Sequence, residues 1–201
     1  MTKKKWNLPQ RKSIRLKGYD YSQAGLYFIT IVTQNRINLF GNIDNGKMIL
    51  NDAGKMVEKW YFELENKYND IKCDTIIVMP NHTHFIIQNV GADLRVCPNI
   101  SNEQSISGEK TISGEHIGSP LHRVIQWFKT MTTNEYIRGV KNNNWQRFNG
   151  KLWQRNYWEH IIRNENGYQN ISNYIINNPL KWNDDKLNGG NGNILQEPLT
   201  K

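Results

Sequence analysis

Cys73-Asp-Thr-Ile-Ile-Val-Met79, Pro80-Asn81 and His82-Thr-His-Phe-Ile-Ile-Gln-Asn89 form the continuous stretch on which the fold turns. Both outer runs are rich in β-branched and apolar residues and have the length of a strand. The Pro-Asn pair between them is turn chemistry, because proline fixes φ and asparagine bonds to its own backbone. Two strands joined this tightly are neighbours in one antiparallel sheet.

Upstream, Leu26-Tyr-Phe-Ile-Thr-Ile-Val-Thr33 reads as a buried strand, and Lys47-Met-Ile-Leu50 as a short hairpin strand after the turn Asp44-Asn45-Gly46. Asn51 can cap a helix whose apolar face is Met56, Val57, Trp60 and Leu64, ending near Asn66 or Lys67. Downstream, Ser119-Pro120 starts a second helix to about Val140, with Leu121, Val124, Ile125, Phe128 and Met131 on its buried side. Residues 151–162 read as a last strand or extended segment. A final helix is expected over about 165–178, stopped by Pro179. The expected class is α+β, a sandwich with helices packed on one face of an antiparallel sheet.

Three segments fall outside this pattern. Residues 90–119 repeat imperfectly as Ile100-Ser-Asn-Glu, Ile106-Ser-Gly-Glu and Ile112-Ser-Gly-Glu, and lack the apolar mass to pack, so a flexible insertion loop is expected. Residues 183–201 are rich in Gly and Asn and read as a disordered tail. Residues 1–25 form a basic N-terminal segment, leaving 26–182 as the single domain.

The formal net charge is +8 over 201 residues, which biases the chain toward polyanions through counterion release. Lys12, Arg15 and Lys17 crowd the N-terminal segment, with Trp6 and Tyr19 among the basic residues. No apolar run reaches the roughly 18 residues of a membrane span, and the basic N-terminus has no apolar stretch behind it. A cytoplasmic protein with no membrane partner is therefore expected. Cys73 and Cys97 are too few and too far apart for a disulfide framework or a zinc knuckle.

Side chains alternate along a strand, so His82 and His84 project from one face about 7 Å apart along the chain. That spacing lets two imidazoles converge on one metal, although a pair of histidines on a half-exposed strand reads the same way. In Tyr174-Ile-Ile-Asn-Asn-Pro179, Tyr174 and Asn178 are four residues apart and share a helical flank, with Ile171 and Ile175 turned inward. An amide oxygen beside two imidazoles completes a facial ligand set suited to Mg²⁺ or Mn²⁺ on a phosphate oxygen.

Taken together with Arg11-Lys-Ser-Ile-Arg-Leu-Lys-Gly-Tyr-Asp-Tyr21, Tyr27-Phe-Ile-Thr-Ile-Val-Thr33 and Trp153-Gln-Arg-Asn-Tyr157, these motifs resemble the REP-associated tyrosine transposases of the HUH single-tyrosine group. The resemblance spans roughly residues 11–182. It implies an HUH endonuclease fold, a ferredoxin- or RRM-like antiparallel sheet carrying the histidines, with His82, His84 and Asn178 as metal ligands and Tyr174 as the nucleophile. It implies a metal-dependent single-stranded DNA endonuclease and strand transferase that recognises a hairpin and forms a 5′-phosphotyrosine link. A monomer is suggested, although HUH dimers that exchange the tyrosine helix exist. Thr83 departs from the apolar residue usual between the two histidines. Lys12, Arg15, Lys17, Arg123 and Lys129 are expected to hold DNA phosphates, and Trp6, Tyr19 or Trp153 to stack on bases. Two other readings fit parts of the pattern: a non-catalytic single-strand-binding module on the same fold, and a hydrolase with metal-bound water as nucleophile.

Overall fold

The computed structural model describes residues 20–21, 23–91 and 120–189. Trp6, Lys12, Arg15, Lys17 and Tyr19, most of the expected insertion loop with Cys97, and residues 190–201 lie outside the described residues.

Ten elements follow in order. They are β1 (Gly25–Val32), β2 (Gly41–Asp44), β3 (Lys47–Leu50), α1 (Asp52–Lys67), β4 (Ile71–Val78), β5 (His82–Asn89), α2 (Leu121–Asn142), β6 (Trp158–Ile162), α3 (Glu165–Ile176) and a 3-10 segment, Asn178–Asp184. A short 3-10 turn, Gln34–Arg36, also follows β1. Strands β2 and β3 form a separate hairpin. Asn45 and Gly46, at φ 47° and 73°, both adopt the left-handed conformation that a tight two-residue hairpin turn requires. The Asn51 side chain accepts from the Gly54 amide at 2.9 Å and donates to the Leu39 carbonyl at 3.0 Å, fastening the start of α1 to the chain before the hairpin.

The main sheet has the order β4-β5-β1-β6, with every neighbouring pair antiparallel. Numbered among themselves, these strands run second, third, first, fourth, which is the ferredoxin-like arrangement. The α+β class and the antiparallel sheet are as the sequence led one to expect.

Alternation sorts the two faces of the sheet. Tyr27, Ile29 and Ile31 of β1 and Phe85 and Ile87 of β5 join the main core with Val57, Tyr61 and Leu64 of α1 and Val124, Ile125 and Phe128 of α2. Helices α1 and α2 thus pack together on one face. Helix α3 covers the other, where Ile175 meets Ile86 and Ile162 with Phe28, Tyr168 and Ile171 around them. His82 and His84 have the parity of Ile86, so they belong to the α3 face.

Helix α3 ends two residues before the expected Asn178. Pro179 disfavours the α conformation at the residue before it and has no N–H to give to the turn above. The chain tightens into the 3-10 segment, whose Pro179 and Trp182 are buried. The disordered tail expected from residue 183 is corrected by this structure: Asn183 and Asp184 complete the 3-10 segment, and the Asp185 amide donates to the Trp182 carbonyl at 3.2 Å. Arg36 also holds the Lys186 carbonyl at 2.9 Å. The burial of Trp182 gives this stretch a reason to stay folded.

Candidate active site

His82 and His84 emerge from the start of β5, and β1 runs beside it, so that Thr30 faces His84 and Val32 faces His82 across the ladder. Both imidazoles are buried, and their ring centroids lie 4.6 Å apart. The Phe28 ring stacks on His84 at 5.5 Å, and Trp182 lies 6.0 Å from His82. Thr83 points to the opposite face and donates its hydroxyl to the Ile77 carbonyl at 3.0 Å, so the departure at this position leaves no polar group unsatisfied.

Hydrogen bonding fixes the state of His82. The Asn81 amide nitrogen donates to the carbonyls of Arg36 at 3.1 Å and Leu187 at 2.9 Å. That orients the Asn81 amide oxygen toward His82 Nδ1 at 2.7 Å, so Nδ1 carries the proton and Nε2 presents a lone pair. His84 Nδ1 lies 2.7 Å from the Thr30 hydroxyl, and its Nε2 lies 3.3 Å from the Tyr174 hydroxyl. Burial pulls both histidines down to about 3, with Asn178 opposing the shift at His82; at His84 the neighbouring His82 adds to it and Asp185 opposes it. Both rings are therefore neutral near pH 7, the form in which imidazole binds a metal.

Tyr174 is the exposed member of the group, at 44%. Its ring meets Phe28 edge-on at 6.1 Å and His84 at 5.2 Å. Burial, and then the Asp185 carboxylate, raise the phenol above its ordinary value, while Asn178 works against them. The hydroxyl opens into a cleft of about 490 Å³ lined by Phe28, Thr30, His84, Trp158, Tyr174, Asn178, Lys181, Asp184, Asp185, Lys186 and Leu187.

Two buried atoms at this site lack a hydrogen-bond partner, His82 Nε2 and Asn178 Oδ1. An unsatisfied buried acceptor costs about 1–3 kcal/mol, so two in one place call for an explanation. A cation shared between them would supply it, and the donor set of imidazole and amide oxygen fits a divalent ion.

The structure thus brings His82, His84, Tyr174 and Asn178 into one site, although Asn178 reaches it from the 3-10 segment rather than from the tyrosine helix. Of Arg123 and Lys129, both expected on the exposed side of α2, Arg123 is exposed and Lys129 only partly so. Both stand on α2, on the far side of the sheet from the histidines. Lys129 is turned inward, donating to the carbonyls of Gln154 at 2.6 Å and Arg155 at 3.0 Å, and burial, with Lys151 adding to it, lowers it to about 8. Trp153, expected as a stacking candidate, is core: it is buried, and its indole donates to the Thr132 hydroxyl at 2.9 Å. Helical periodicity gives the buried face of α2 but not which loop later crosses its flank.

Among the cleft residues that escaped the sequence reading are Trp158, Lys181, Asp185 and Lys186. Pro179 and Trp182, both buried, were the available sign that the chain there packs rather than frays.

A tyrosine hydroxyl held against paired imidazoles on an inner strand of a ferredoxin-like sheet is the arrangement implied by the resemblance to HUH single-tyrosine proteins. No family model matches the chain. It is 35% identical over 189 residues to an uncharacterised protein of Haemophilus influenzae, covering 92% of this chain and 97% of that one. It is 26% identical over 165 residues to a second Haemophilus influenzae protein, named "Putative REP-associated tyrosine transposase", covering 81% of this chain and 74% of that one. A solved structure of a REP-associated tyrosine transposase bound to a REP hairpin aligns with a TM-score of 0.47 and 18% identity, over 85% of this chain and 74% of that one. Over most of its length the chain is thus similar to a protein that carries the name of the REP-associated tyrosine transposases. Among the described residues, no helix is long and apolar enough to cross a membrane.

Proposed function

We propose that this protein is a metal-dependent transposase that cleaves and rejoins single-stranded DNA containing a hairpin, with Tyr174 as nucleophile. The observation that carries the reading is the Tyr174 hydroxyl 3.3 Å from Nε2 of His84, in a cleft that also holds the unpartnered Asn178 Oδ1. His82, His84 and Asn178 would hold Mg²⁺ or Mn²⁺. A divalent ion there supplies positive charge to the scissile phosphate and to the phenolate of an attacking tyrosine.

The residues of the chain do the rest. Asn81 and Thr30 orient the imidazoles, and Phe28 braces both the His84 and Tyr174 rings. Tyr174 attacks phosphorus as the bond to the 3′ oxygen breaks, giving a 5′-phosphotyrosine and a free 3′ hydroxyl. The link keeps the energy of the phosphodiester, so rejoining by a 3′ hydroxyl requires no nucleotide. Lys181 and Lys186 at the cleft are placed to hold neighbouring phosphates, and the half-exposed Trp158 offers a ring for an unpaired base. The hydroxyl meets a histidine of its own chain, which favours cleavage by each protomer with its own tyrosine.

The test is a hairpin-bearing single strand labelled at its 3′ end, incubated with protein and Mn²⁺ and run on a denaturing gel. The native protein should carry label covalently. Tyr174→Phe should carry none while binding the same DNA nearly as well. A labelled adduct in Tyr174→Phe, mapped by mass spectrometry to Tyr157 or Tyr168, would overturn the assignment. Hydrolysis without any adduct would favour a water nucleophile.

A further inference from the structure

A carboxylate stands opposite the paired imidazoles. Asp185 Oδ2 lies 3.8 Å from His82 Nε2, and its side chain is only 9% exposed. His82, His84 and Asp185 can each offer a ligand atom within 4.8 Å of the other two.

This approach is not an ordinary ion pair. His82 Nδ1 holds the ring's proton for Asn81, so Nε2 meets the carboxylate lone pair to lone pair. Two acceptors facing one another in a desolvated pocket repel unless a proton or a cation lies between them. A cation between them would satisfy both, and it would also meet the need of the unpartnered Asn178 Oδ1.

The carboxylate is also pre-aimed. Its Oδ1 accepts from the Leu187 amide at 2.7 Å, which leaves Oδ2 turned to the histidines. The Leu187 carbonyl is gripped at 2.9 Å by Asn81, the residue that sets the His82 tautomer. One buried amide therefore aligns a ring of β5 and the chain carrying Asp185. Fixing both arms in advance lowers the ordering cost of binding an ion.

The geometry points to Asp185 as a further, anionic ligand of the divalent ion, so that the 3-10 segment brackets the ion with Asn178 at its start and Asp185 just after its end. This rests on the reading of the site as a metal centre. A carboxylate beside imidazole and amide oxygen raises affinity for hard cations such as Mg²⁺ and Mn²⁺.

The test is Mn²⁺ binding alone, without DNA, by calorimetry on the full chain. Asp185→Asn keeps the shape of the side chain and the acceptor for Leu187, so it should fold as the native protein does, and circular dichroism checks this. It should bind Mn²⁺ at least about tenfold more weakly. Asp185→Ser, which removes the carboxylate by a different route, should show the same loss. Asp184→Asn, at an exposed carboxylate of the same cleft, should stay within about threefold of native. Native-like affinity in folded Asp185→Asn, with binding lost in His82→Ala, would remove Asp185 from the site and leave the metal centre standing. Native-like affinity in both Asp185→Asn and His82→Ala would instead remove the metal centre itself.

Discussion

Asn81→Ala should damage metal binding more than any other change outside the ligands. The buried native side chain makes three hydrogen bonds, to Arg36 O, Leu187 O and His82 Nδ1. At about 0.5–1.5 kcal/mol net for each, with the orphaned partners adding to the loss, removal should destabilise the fold by roughly 2–4 kcal/mol. For a domain of this size that is a fall in Tm of roughly 5–15 °C, readable by calorimetry in the presence of a chelator. The second effect is specific to the site. Without the Asn81 oxygen the proton of His82 is no longer tied to Nδ1, and the Leu187 carbonyl loses its anchor. Loss of such an orienting partner typically costs a metal site about 10–100-fold in affinity. Mn²⁺ titration of the folded variant, well below its Tm, measures this directly. A folded Asn81→Ala protein that binds Mn²⁺ within about twofold of native would refute the argument that this amide sets the tautomer and holds the bracket.

Two further outcomes follow from the placement of charge and from burial. Lys181→Ala and Lys186→Ala should each weaken hairpin binding across sequences and flatten the dependence of log K on log salt by about one, whereas Arg123→Ala on the far layer should change neither; anisotropy across a salt series that singles out Arg123 instead would move the DNA to the other face. In chelator-treated protein, His82 and His84 titrate near 3 when folded against 6.5 when unfolded. The unfolded chain therefore binds more protons between those values, so stability is complete above about pH 6.5 and falls as the pH drops toward 3. Urea unfolding at pH 7 and pH 5 should differ by roughly 2–4 kcal/mol, and a flat profile would mean the rings are not buried as neutral groups.

What the chain announces by itself is whatever depends on short-range periodicity. The alternation of His82-Thr-His84 puts two imidazoles on one strand face, and the Ile171, Tyr174, Ile175 spacing turns one helix so that the phenol stands beside its buried stripe. Those patterns survive any packing, because a strand repeats every two residues and a helix every 3.6. The element order suffices for an α+β class with an antiparallel sheet, whereas the ferredoxin-like arrangement is implied by the family resemblance and not by the order alone.

Tertiary structure decided what local periodicity does not encode. Periodicity cannot say that α3 covers the face opposite α1 and α2, although that is why Tyr174 meets His84. Nor does it say that Lys129, polar by its place on α2, is sealed by the carbonyls of Gln154 and Arg155. Asp185 is the clearest case. Its neighbours Asn183, Asp184 and Lys186 have the composition of a solvated tail, and it is held in place through the next two residues, whose carbonyls bond to Arg36 and Asn81 more than a hundred residues earlier in the chain. Contacts across such sequence separations form only after the sheet is assembled, so the residue that completes the site is fixed by packing and not by its own local sequence.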